Sequence, residues 1–134
     1  MKVLSIREPY ATLIKDEIKY IETRSWKTNY RGKILIHSCK GKYPIKNKVK
    51  HLVDSEKLKY GYILCEAELV DCIYIDKKYA DVIKNEDLNN FLCGDYTEGR
   101  YAWILKNIKL LKNPIEIGGQ LGLWNFREEE IDEG

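Results

Sequence analysis

The 134-residue chain is poor in the features that mark a metal centre, a disulfide scaffold or a membrane anchor. No apolar run approaches the roughly 20 residues of a membrane-spanning helix, so no membrane partner is expected. Its four cysteines, Cys39, Cys65, Cys72 and Cys93, include no C-x-x-C pair, and neither His37 nor His51 stands at a zinc-like spacing from one. No metal and no cofactor is expected. The opening MKVLSIREPY holds one strand's worth of apolar residues and then at once Arg7 and Glu8, which is not a signal-peptide pattern. That predicts a cytoplasmic protein with free thiols, Cys65 and Cys72 acting as small apolar packing in a strand. There are no repeats, low-complexity tracts or linkers, and neither histidine has an evident nucleophile beside it in sequence.

What is present fits one soluble domain, 44% hydrophobic and 33% charged. We place that domain at 1–126 and read 127–134, with five acids in eight residues, as a frayed tail. The net charge is only +2, but residues 1–60 carry 15 Lys/Arg against 6 Asp/Glu, whereas 61–134 carry 8 against 15. A basic half attracts phosphates unless the acidic half folds back on it.

Along the chain, Lys2 to Ile6 reads as a strand. Pro9 then opens a helix, with Tyr10, Leu13, Ile14 and Ile18 on its buried face, that runs to about Glu17. Lys33 to His37 is a strand. The lysine-rich stretch from Ile45 to Ser55 reads as a helix with a thin apolar stripe. Gly61 to Ile75 is strand-like, with a bend or bulge at Asp71. Asp76 to Phe91 is helix-like. Arg100 to Leu111 is a long strand that Asn113-Pro114 is expected to break, and Leu123 to Phe126 closes the fold. Strands interleaved with few helices, without regular β–α–β units, argue against a doubly wound sheet and for a small twisted barrel or half-barrel.

The most informative stretch is Ile18 to Lys40, where ions and aromatic rings interleave just ahead of a buried strand. If Lys19 to Arg24 is extended, Tyr20, Glu22 and Arg24 share one face, Lys19, Ile21 and Thr23 share the other, and Ile21 points to the core. Lys19 joins the two charged groups only if it sits in the turn before that strand. A plain surface ion pair there would contribute roughly 0–1 kcal/mol. Trp103 and Trp124 read as core residues, whereas Trp26, in a polar loop, is open to either reading.

Lys19, Glu22 and Arg24, together with Glu17, resemble the G-x-K-x-x-E-x-R motif of the ASCH family, with Glu17 where that motif has glycine. Leu4 to Tyr10, Arg24-Ser25-Trp26, Tyr30-Arg31-Gly32, Ile34 to His37, Leu69 to Cys72, Tyr101-Ala102-Trp103 and Gly119 to Trp124 continue the resemblance in order. The resemblance implies an α+β, mainly β fold: a PUA-like β-barrel of about six strands with two or three covering helices. It also implies a cleft beside the barrel for RNA or a modified nucleoside or nucleotide. One branch of the family is an amidohydrolase acting on N4-acetylcytidine through a lysine, a threonine and a glutamate. Lys19 matches the lysine, but the threonine position falls on Glu22, and the glutamate maps only to candidates, Glu66, Glu68 or Glu86. A ribonuclease activity is attributed to other members, with no motif that maps onto this chain.

Three readings of function result. In a binding module, Lys19, Arg24 and Arg7 or Arg31 would meet phosphate, Trp26, Tyr10 or Trp103 would stack a base, and Glu22 would accept a hydrogen bond from an exocyclic amine. In a metal-independent amidohydrolase, Lys19 and Glu22 would be the catalytic pair. In a protein-interaction domain, the motif would be purely structural.

Overall fold

A computed structural model describes residues 1–127. Six strands form one sheet: β1 (Lys2–Ile6), β2 (Ile21–Arg24), β3 (Gly32–Ser38), β4 (Tyr62–Tyr74), β5 (Tyr101–Glu116) and β6 (Leu123–Asn125). Their order is β2-β5-β4-β3-β1-β6. β1 runs parallel to β3, and the other pairings are antiparallel.

The sheet curls into a half-barrel, and one contact shows how far. β2 and β1 stand four strand steps apart, about 19 Å across a flat sheet at ~4.8 Å per step. Yet Arg24 Nη2 on β2 donates to the Ser5 carbonyl on β1 at 2.8 Å. The hollow of the curl holds the main core, with Leu4, Ile6, Ile34, Ile36, Leu69, Trp103 and Leu105 packed against Ala11 and Ile14.

Three helices cover the sheet: α1 (Tyr10–Lys15), α2 (Lys77–Glu86) and α3 (Leu88–Leu92). The first begins one residue after Pro9 and ends two residues before Glu17. The expected helix over 76–91 is divided in two by Asp87. The Asp76 carboxylate caps α2 by accepting from Tyr79 N–H, and the Asp87 carboxylate caps α3 by accepting from Asn90 N–H. The expected helix over 45–55 is instead a 3₁₀ turn at Asn47–Leu52 and another at Ser55–Lys57. Its apolar stripe is too thin to bury a full helical face, and only Val49 is buried in the longer turn.

Asn113-Pro114 does not end β5, which continues to Glu116. Ile115 pairs with Ile63 and Leu110 with Cys65, so residues 111–114 face Leu64 alone. The missing proline N–H falls inside that bulge, where the ladder is already interrupted. The bend read at Asp71 is present as a register shift between Leu69 and Asp71. The tail expected over 127–134 lies, beyond Arg127, outside the described residues. Among those described, no helix is long and apolar enough to cross a membrane.

Candidate nucleotide cleft and the charged network on its wall

The motif begins where α1 stops. Ile18 N–H donates to the Leu13 carbonyl at 3.0 Å and Glu17 N–H to the Ile14 carbonyl at 3.0 Å, while Glu17 takes φ 61°. This is the paired closure of a helix by a left-handed residue, a position that favours glycine because a Cβ is strained there. The family's glycine therefore has a conformational reason, which Glu17 meets at a cost.

The turn delivers Lys19 two residues ahead of β2, so it joins Glu22 and Arg24 as the alternation requires. Lys19 is 0% exposed. Its ammonium donates to the Ile21 carbonyl at 2.7 Å and the Cys93 carbonyl at 2.9 Å, and lies 3.2 Å from Glu22 Oε1. Three acceptors match the three protons of an ammonium. The other oxygen of Glu22 accepts from Arg24 Nε at 3.0 Å and Nη2 at 2.8 Å. Burial alone would push the Glu22 carboxyl up, but the charges of Lys19 and Arg24 and their hydrogen bonds outweigh it and hold the group below the usual carboxylate range. Asn90 of α3 completes the support: its Oδ1 accepts from Tyr20 and Ile21 N–H at the start of β2.

This network forms one wall of a cleft of about 1110 Å³. The end of β1 supplies Ser5, Ile6 and Arg7, β2 supplies Glu22, Thr23 and Arg24, and the end of β3 with the residues after it supplies His37, Cys39 and Lys40. Lys46 and Lys48 come from the basic connection, Phe91 to Thr97 from α3 and its loop, and Gly118 to Gly122 from the loop before β6. Among the described residues, the cations Arg7, Arg24, Lys40, Lys46, Lys48 and Arg100 line it against the carboxylates Glu22 and Asp95. Hydrogen bonds from Thr97 hold Asp95 below the usual carboxylate range. Tyr10, Phe91 and Tyr96 offer ring faces or edges.

The residues singled out from sequence are not all in one place. Glu22, Arg24, Arg7 and Tyr10 line the cleft. Arg7 also lies over the Tyr43 ring, 4.1 Å from its centroid. Lys19 stands behind the wall and is not among the lining residues, so the expected catalytic use of its amine has no geometric support. Trp26, 39% exposed, packs edge-on against Trp103 with centroids 4.7 Å apart. It does not line the cleft, and its ring lies beside Gly122, which does. Arg31 is turned elsewhere: it donates to the carbonyls of Thr28 and Tyr30 and lies 3.8 Å from Asp71. Trp103 and Trp124 are buried, as core residues should be.

One pair escaped the sequence reading. Ser5 and His37 are register partners on the parallel strands β1 and β3, and Ser5 Oγ lies 3.1 Å from His37 Nδ1. Their 32-residue separation hides the contact, and the signal that reveals it is the pairing of Leu4-Ser5-Ile6 beside Ile36-His37-Ser38. Among the described residues, no group of three or more His, Cys, Asp or Glu is placed to hold a metal ion.

The curled six-stranded sheet with its few covering helices is the fold of solved ASCH proteins. Residues 4–115 match the family model of the ASCH domain, and the chain belongs to that family. Activating signal cointegrator 1 of Mus musculus is 25% identical over a 146-residue alignment that takes in 98% of this chain and 23% of that protein. The chain thus spans under a quarter of the length of the curated relative it matches. ASCH from Zymomonas mobilis has the same fold, with a TM-score of 0.61 at 16% identity over 96% of this chain and 89% of that one. A mutant form of it gives 0.60 at 16% identity, over 96% and 91%.

Proposed function

We propose that the cleft binds single-stranded RNA or a modified nucleoside or nucleotide. The observation that carries this reading is the convergence of six cations from separate parts of the chain on one open hollow that also presents aromatic rings. Glu22 does not offset those cations fully, because it is already shared between Lys19 and Arg24. An anionic ligand is drawn to such a concave basic surface, and an unstacked base finds a ring to lie against, at about 1–3 kcal/mol per stacked base. Tyr10, Phe91 and Tyr96 carry rings among the residues that line the cleft. Arg7, Lys46 and Lys48 are exposed and line the cleft, which supports a role for them in meeting phosphates. The same likeness to the ASCH family supports the reading without naming a ligand.

The test is a titration of intrinsic fluorescence with nucleosides, nucleotides and short single-stranded RNAs at several salt concentrations. Affinity should fall with salt at a log–log slope of about −0.7 for each phosphate engaged. Replacing Lys46 and Lys48 together by alanine should weaken binding and flatten that slope. Absence of any saturable change with all three ligand types would sink the proposal.

A further inference from the structure

The Ser5–His37 pair has a hydrogen-bond pattern that fixes the tautomer of the neutral imidazole. His37 Nε2 lies 2.7 Å from the Ile117 carbonyl, which only accepts, so Nε2 carries the proton. In the neutral imidazole Nδ1 is then the bare nitrogen, and Ser5 Oγ, 3.1 Å away, donates to it. Trp124 Nε1–H, a donor only, lies 2.9 Å from Ser5 Oγ and occupies one of its lone pairs. Ser5 is 8% exposed, and its second lone pair has no hydrogen bond among the described residues. A hydroxyl is thus hydrogen-bonded to a base, and the base is oriented by a third group, which is the arrangement that activates a serine.

Three further observations separate this pair from an ordinary core contact. Both residues line the cleft. Burial pushes the His37 imidazole below its ordinary value, so it is a neutral base at pH 7, with Lys40 adding to the shift and the Ile117 hydrogen bond opposing it. The backbone of Gly119 also lies so close to the pair that an added Cβ would stand 2.3 Å from His37 Cε1 and 2.8 Å from Ser5 Oγ. Only glycine admits that approach, so peptide groups are held directly beside the hydroxyl.

We propose that Ser5 is an acyl-accepting nucleophile and His37 its general base, making this cleft a site of acyl transfer from an ester or amide. Ser5 Oγ forms a bond to the acyl carbonyl carbon as its proton passes to His37 Nδ1. The bond from that carbon to the leaving oxygen or nitrogen breaks, and His37 returns the proton to the leaving group. Water then attacks the acyl-serine, His37 taking its proton and passing it to Ser5 Oγ as the free acid departs. Water is the only co-reactant. Lys19 has no part in this chemistry, and the proposal does not rest on a nucleotide being the ligand.

The test uses the whole chain with a fluorophosphonate probe and with p-nitrophenyl acetate, followed by intact mass and peptide mapping. One adduct at Ser5 is expected, with a burst of p-nitrophenolate. The Ser5 labelling rate should fall at least about 100-fold in His37→Gln, the usual contribution of a general base. It should also decline only at a pH below the ordinary range of histidine. The wild-type protein decides by itself should that variant fail to fold: no adduct, or adducts elsewhere than Ser5, overturns the proposal. So does a His37→Gln protein with native circular dichroism that labels at the wild-type rate. Ligand binding in the fluorescence titration without Ser5 labelling would leave a binding cleft and remove the acyl-transfer centre.

Discussion

Lys19 and Cys93 are 74 positions apart, and the ammonium of the first donates to the carbonyl of the second at 2.9 Å. The bond ties the turn after α1 to the end of α3, across the back of the cleft wall. With its partners Ile21 and Glu22, it makes Lys19 a buried strut.

Replacing Lys19 by methionine keeps most of the volume and removes the charge. Glu22 would then keep one cation instead of two, and the carbonyls of Ile21 and Cys93 would lose a donor. Breaking a buried pair in this way costs about 3–5 kcal/mol. Urea denaturation of the wild type and variant measures it. A variant of wild-type stability that had lost function would restore Lys19 as a functional amine.

Acid stability follows from two carboxyls with opposite shifts. Glu22 is held below its ordinary value of 4.5 by Lys19 and Arg24 against the effect of burial. Its stabilisation is complete above the unfolded-state value and is lost as pH falls through the folded one. Burial raises Glu8, although Thr12 and Lys59 donate to it, so its contribution is present below 4.5 and is lost as pH rises through its folded value. In denaturation series from pH 3 to 7, Glu22→Gln should flatten the loss below 4.5. Glu8→Gln should remove the opposing slope above it. Unchanged slopes would contradict both assignments.

Glu17→Gly should stabilise the protein. The residue sits at φ 61°, and an L side chain in that region costs about 1–2 kcal/mol, from which the greater unfolded-state freedom of glycine takes part back. A net gain of about 0.5–1 kcal/mol is expected in thermal or urea unfolding. A loss would show that the Glu17 side chain makes a contribution that outweighs its backbone strain.

The charged wall was legible because it is local. Glu22 and Arg24 alternate on one short strand, and Lys19 stands one turn earlier, so spacing alone groups them. The half-barrel was legible from strands that lack β–α–β units. Pro114 misled because its donor loss was weighed against a regular ladder, whereas four residues of β5 loop out opposite Leu64. The lysines near 50 misled because a helical stripe of apolar residues says nothing about whether a neighbour is there to cover it. Arg31 reads as part of the cluster, yet its short-range bonds to Thr28 and Tyr30 turn it away. Ser5 and His37 meet only through the parallel pairing of β1 with β3, which no local pattern announces.

Arg24 is the stitch that draws the first strand of the sheet toward the fourth neighbour along, where no backbone ladder joins them. A phosphate that captures this guanidinium must compete with the Ser5 carbonyl and Glu22 for it. If the hollow takes an anion as proposed, its occupancy and the tightness of the curl are two readings of a single balance, and a guest with more negative charge would pull harder on the seam that shapes its own berth.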